Sequence, residues 1–96
     1  MKLKYSANAQ RRLGQILDYN GKRKGKRIVK DILDRADELE KYPELGPTES
    51  NLESLDEGHR SLLVGTLYKI IYLIAKPFIL IIDIFDVRQD PDNMKS

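Results

Sequence analysis

The chain has 96 residues, enough for one domain spanning 1–96 with a single core and too few for a second site-bearing domain. Lys and Arg exceed Asp and Glu by only 17 to 15, so the overall charge does not by itself point to nucleic acid. Without cysteine there is no disulfide framework, no thiolate nucleophile and no Cys-based zinc site, and MKLKYSANAQ has no apolar segment resembling a secretory signal, so a cytoplasmic protein is expected.

Lys2 to Tyr5 alternates polar and apolar residues and predicts a short opening strand, followed by Ser6 as an N-cap. Ala9, Leu13, Ile16 and Leu17 then recur at helical spacing, with Gln10, Arg11, Arg12 and Asp18 on the wet side and Asn20-Gly21 as the stop. A second helix is expected from about Gly25, with Ile28, Ile32, Ala36 and Leu39 as its apolar stripe, ending before Pro43. Between them Lys22, Arg23, Lys24, Lys26 and Arg27 concentrate positive charge, and reading them as a solvated interhelical turn competes with reading them as a nucleic-acid or target contact. Neither helix has enough apolar surface to stand alone, so the hairpin needs a sheet.

YPELGPTESNLESLDEG, with its prolines and glycines, reads as a surface connection that Leu45, Leu52 and Leu55 should pin to the body. The runs HRSLLV, LYKIIYLIA and FILIIDIFD follow, separated by Gly65-Thr66 and Lys76-Pro77, and predict an antiparallel β-meander. The stretch Ile70 to Phe85 is shorter than a bilayer span, is broken by Lys76 and Pro77 and carries Asp83, so no membrane association is expected. Along the middle run Tyr68, Ile70, Tyr72 and Ile74 share one face and Lys69, Ile71, Leu73 and Ala75 the other. Both faces are largely apolar, and one hairpin covers only one of them. The second is left to curl on itself, to be capped by the C-terminal tail or, the favoured reading, to be covered by a partner protein.

This α+β order, an N-terminal strand and helical hairpin packed on an antiparallel meander, resembles the RelE/ParE superfamily of toxins from type II toxin–antitoxin systems. The resemblance rests on Pro43-Glu44-Leu45-Gly46, Gly58-His59-Arg60, Tyr68-Lys69-Ile70-Ile71-Tyr72 and Phe85-Asp86-Val87-Arg88-Gln89-Asp90-Pro91, and runs from Tyr5 to Pro91. It implies a cognate antitoxin whose flexible segment folds onto the toxin in a hetero-oligomer, with Tyr68 and Tyr72, which by their shared strand face read as core or groove aromatics, as antitoxin contacts.

The resemblance divides by target. RelE-like members cut messenger RNA in the ribosome, and matched by position Arg60, Lys69 and Arg88 would serve as the catalytic phosphate and transition-state contacts of a metal-free endoribonuclease. Leu62, however, stands where that pattern has a second lysine, and the tail DVRQDPDNMKS lacks its tyrosine. The Arg88-to-Pro91 ending is similar instead to ParE-like and plasmid-stabilisation members, which inhibit DNA gyrase by binding, with Arg88, Lys22, Arg23 and Lys24 as target contacts. A toxin-derived binding module without activity is the remaining reading.

His59, the only histidine, reads as a surface turn residue, and Arg88 as a partner for Asp86 or Asp90. Asp83, between Ile82 and Ile84, needs a partner, for which Lys69 and Arg60 are the candidates. No metal or cofactor is implied.

Overall fold

The computed structural model describes all 96 residues, Met1–Ser96. The elements run β1 (Lys2–Tyr5), α1 (Ala7–Asn20), α2 (Lys22–Asp37), β2 (Arg60–Val64), β3 (Tyr68–Ala75) and β4 (Phe78–Asp86), with short 3-10 turns at Glu38–Glu40, Ser50–Leu55 and Pro91–Asn93. The strands form one sheet in the order β1-β4-β3-β2. The meander is antiparallel as expected, while β1 lies parallel to β4 at the far edge, Leu3 opposite Ile79.

Ser6 starts α1 as its sequence suggests: its Oγ accepts from the Ala9 amide at 3.0 Å, and its own amide donates to Ile81 O. The two helices are joined by Gly21 alone, at φ 79°, so α2 begins at Lys22 and not near Gly25. The basic run is therefore the first turns of a helix and not a turn between helices. Gly25 is instead a packing residue: a Cβ there would lie 2.9 Å from Leu17 Cα, so the missing side chain lets α1 and α2 approach.

The hairpin covers one sheet face. Ala9, Ile16, Ile32, Ala36 and Leu39 pack on Leu62, Tyr68, Ile70, Tyr72, Ile79, Ile81 and Ile84. Each enclosed Ile or Leu contributes roughly 1.5–3 kcal/mol by leaving water.

The second face is covered in part by the chain itself, its loop and C-terminal tail, which leaves less of it for a partner. Leu52 and Met94 close over Ile71 and Phe85 in a smaller cluster. Leu52 thus anchors the long loop, but Leu45 and Leu55 remain exposed. The loop is held mainly by polar contacts, with Ser61 N donating to Pro47 O at 3.0 Å and Glu49 N to His59 O at 2.9 Å.

A register shift opposite Ile71/Tyr72 sets Ile71 against Asp83 and Tyr72 against Ile81, leaving Ile82 as the extra residue. The bulge reverses the alternation along β4. Ile79 and Ile81 face the helices before it and Ile84 after it, while Asp83 and Phe85 share the side of Ile71.

Candidate functional site

A cleft of about 690 Å³ opens between the second half of α1 and the end of β4. Ile16, Tyr68 and Ile84 form its apolar floor, and Arg12, Tyr19, Asp86 and Arg88 form its polar walls. Tyr68 sits there because it opens β3 directly opposite Asp86, and it is 8 % exposed. Arg88 sits there because β4 ends in a tight turn in which Val87 N donates to Leu67 O and Gln89 N to Asp86 O.

Asp86 organises that turn. Its Oδ1 accepts from the Arg88 amide at 2.9 Å and from Arg88 Nε at 3.0 Å, and its Oδ2 accepts from Arg88 Nη2 at 2.8 Å. The hydrogen bond from the Arg88 side chain holds the Asp86 carboxyl below its usual range, although partial burial opposes this. The same bond raises the guanidinium further, so both groups are charged at neutral pH. With the Nε and Nη2 edge occupied, Nη1 is the part of Arg88 left for a ligand.

Arg60 and Lys69 lie elsewhere. Arg60 pairs with Tyr72 in the sheet, and its Nη1 donates to Gly46 O at 2.7 Å. Lys69 projects from the second face, paired with Phe85, and its Nζ donates to Glu49 Oε1 at 2.9 Å. Arg60 and the Arg88 turn are separated by the span from Tyr72 to Tyr68, roughly 13 Å of strand. The three cations occupy no common surface, and each is engaged by an acceptor of the chain.

Tyr72 is fully enclosed. Its hydroxyl donates to Pro43 O at 2.7 Å and accepts from Gly46 N at 3.0 Å, tying the Pro-Glu-Leu-Gly segment to the sheet. Of the two tyrosines assigned to a partner surface from the sequence, only Tyr68 borders an opening.

Glu49, 1 % exposed, is a buried acid of the second face, as is Asp83. Burial pushes its carboxyl up, but donation from the Asn51 amide, Lys69, Ser61 and the Asn51 side chain more than offsets this and holds it below its ordinary value. His59 is 1 % exposed instead of lying on the surface, its ring nitrogens have no hydrogen-bond partner, and the nearest acid, Glu57, is 3.8 Å away. Asp83 pairs with neither Lys69 nor Arg60. It accepts from Arg12 Nε at 3.1 Å, Asn8 Nδ2 at 3.0 Å and the Lys95 amide at 2.9 Å.

Lys22, Arg23 and Lys24 are exposed at the tip of the hairpin, immediately after Tyr19 and Asn20 on the cleft wall. Tyr19 and Arg12 were not identifiable as site residues from the sequence. Tyr19 carries one signal: it is an aromatic among the polar residues at the end of α1. No cluster of three or more His, Cys, Asp or Glu side chains lies close enough to hold a metal ion, and no helix is long and apolar enough to cross a membrane.

Residues 3–91 match the family model described as ParE toxin of type II toxin-antitoxin system, parDE. No curated protein matches the sequence. Among solved structures, one titled "Chromosomal ParDE TA system from P. aeruginosa" is similar at 23 % identity and a TM-score of 0.74, covering 90 % of this chain and 95 % of that one. It supports the α+β architecture described above.

Proposed function

Because the chain belongs to the ParE toxin family of type II toxin–antitoxin systems, with the antitoxin partner that such a system implies, we propose that it inhibits DNA gyrase by binding and not by cutting RNA. The observation that carries this reading is the separation of Arg60, Lys69 and Arg88. Metal-free RNA cleavage needs a base for the 2′-hydroxyl, an acid for the leaving oxygen and cations on the phosphate, all around one point. Here Arg60 is tied to the loop carbonyl of Gly46, Lys69 to Glu49 across the sheet, and Arg88 to Asp86 at the far end. The residues that do converge, Arg88, Tyr68 and Tyr19 around the cleft, suit recognition of another macromolecule.

In this reading Arg88 presents its free edge to gyrase and the cationic tip at Lys22, Arg23 and Lys24 lies beside the same mouth. The cognate antitoxin, by occupying the toxin, keeps this surface from its target.

The test is pulse labelling of DNA and protein synthesis within minutes of inducing the gene without its antitoxin, together with a supercoiling assay on purified gyrase. Thymidine incorporation falls first, and supercoiling is lost in proportion to added protein. An early fall in methionine incorporation, with supercoiling intact, would falsify the gyrase reading and turn attention to the ribosome.

A further inference from the structure

The tip of the helical hairpin carries charge that the fold does not use. Lys22, Arg23, Lys24, Lys26 and Arg27 are all exposed, and none of them enters an ion pair, although Asp18 and Asp31 flank the run. Their placement opposes stability, because cations at a helix N-terminus meet the positive end of the macrodipole and no acidic residue sits in the first turn to compensate. By helical periodicity Gly25, Ile28 and Ile32 turn toward the core, so the cations fill the whole solvent side of these turns. Immediately before them Tyr19 is 88 % exposed, a larger fraction than any other bulky apolar side chain in the protein, and it stands on the wall of the cleft.

We propose that this tip is a contact for single-stranded nucleic acid, in which Lys22, Arg23, Lys24, Lys26 and Arg27 hold the phosphate backbone and Tyr19 stacks on an unpaired base. The chemistry of the patch selects that partner. A membrane surface would call for apolar residues among the cations to enter the bilayer, and Lys22 to Arg27 contains none. An acidic protein would also meet these charges with Tyr19 as its anchor, and competition by polyglutamate separates it from nucleic acid. Dense charge beside one exposed aromatic ring is the pairing that tracks a flexible polyanion and stacks its bases without reading their order. Backbone charge and base stacking are common to DNA and RNA, so both kinds of strand are held. The inference goes beyond the gyrase reading, since a toxin that traps gyrase through protein contacts has no need to touch nucleic acid itself.

The experiment is fluorescence anisotropy of the full chain with labelled oligonucleotides of one length: single-stranded DNA, single-stranded RNA and duplex DNA, over a range of salt concentrations. Both single strands bind more tightly than the duplex, and log affinity falls linearly with log salt. The K22Q/R23Q/K24Q variant reduces the size of that slope by about 2, the share of three backbone contacts on a single strand. Tyr19→Ala weakens single-strand binding about tenfold and leaves the slope and the duplex affinity unchanged. Circular dichroism confirms that both variants keep the fold, as expected for exposed positions.

Absence of saturable single-strand binding at low salt overturns the proposal. So does an unchanged slope in the triple variant, an unchanged affinity in Tyr19→Ala, or displacement by polyglutamate as effective per charge as by oligonucleotide, which would mark an acidic protein as the partner. Gyrase supercoiling is read separately on the same proteins. A chain that binds oligonucleotide but leaves supercoiling untouched keeps this inference and sinks the gyrase reading, and the reverse result does the opposite.

Discussion

Arg12 and Asp83 form the one ion pair that ties a helix to the sheet, with Nε 3.1 Å from Oδ1 of a carboxylate that is fully buried. The site exists because β1 ends at Tyr5, opposite Ile81, and leaves the edge of β4 open beyond that point. Ser6 and Asn8 fill the edge by donating to Ile82 O, and the Lys95 amide closes Asp83 from the other side. Helix, sheet and tail therefore meet on one carboxylate.

Removing the guanidinium leaves that charge with two donors and no counter-ion. Arg12→Ala is expected to cost about 3 kcal/mol, the lower end for breaking a buried pair because Asn8 and Lys95 remain. In an Asp83→Asn background the same change costs at least about 1 kcal/mol less. Urea midpoints of the wild type, both single variants and the double variant at pH 7 check this; equal costs in the two backgrounds would mean that the charges do not interact.

Tyr72 and Gly46 support a second prediction. Tyr72→Phe strands the Gly46 amide in a buried position, at a cost of about 1–3 kcal/mol. Gly46→Ala should cost more, since its Cβ would meet Ser61 O at 2.4 Å, and that oxygen belongs to the backbone of β2 and cannot swing away. Thermal melts rank the two, and a Gly46→Ala protein as stable as Tyr72→Phe contradicts the close approach.

The elements themselves were legible because their signals are local. Ser6 and Gly21 bound α1, and the apolar runs of β2, β3 and β4 stop at turn residues. Two features were hidden for physical reasons. Gly25 reads in sequence as a helix start, whereas its function is to admit Leu17, a contact between two helices that neither helix announces. The extra residue Ile82 lies in an unbroken apolar run, where slipping by one position replaces one hydrocarbon with another and leaves no mark. Without the bulge the side on which Asp83 emerges is misread, and its partner Arg12, 71 positions away, cannot be named. Of the residues lining the cleft, Arg88 and Tyr68 were singled out in the sequence as strand-end residues but not as neighbours, and Tyr19 joins them only through the packing of α1 across the sheet.

Gly25 gives a prediction of its own. Gly25→Ala improves helix propensity yet forces α1 and α2 apart at Leu17, and overpacking of this kind costs about 1–3 kcal/mol. Guanidinium unfolding decides between the two effects: a stabilised variant would show that the hairpin yields at this contact.

The donors around the buried Glu49, the Asn51 amide first and Lys69 after it, fix a pH dependence. The folded carboxyl is held below its ordinary value of 4.5, so in acid the unfolded chain takes up this proton first. Its contribution is complete above about pH 4.5 and is lost as pH falls through the folded value. Glu49→Gln should therefore be less stable than wild type at pH 7, and the gap should narrow as the solution is acidified below pH 4.5. Unfolding midpoints across pH 7 to 3 test the sign. A gap that widens in acid would mean that burial, and not the donors around it, controls this carboxyl.

Arg88 separates a binding toxin from a nuclease. Its side chain is 62 % exposed and bonded only to Asp86, so Arg88→Ala should leave the unfolding midpoint nearly unchanged. If the Nη1 edge meets gyrase, potency should fall by degrees. Arg88→Lys keeps the charge but loses the fork that Asp86 orients, and Arg88→Ala loses both, so the concentration needed for half-inhibition of supercoiling should rise from wild type through Lys to Ala. Asp86→Asn should resemble Arg88→Lys, because it frees the guanidinium from its clamp without removing it. Equal potency for wild type and Arg88→Ala would place the gyrase contact elsewhere on the surface. An Arg88-dependent RNA cleavage activity, abolished by Ala in a folded protein, would instead give this arginine the chemical role that its distance from Arg60 and Lys69 argues against.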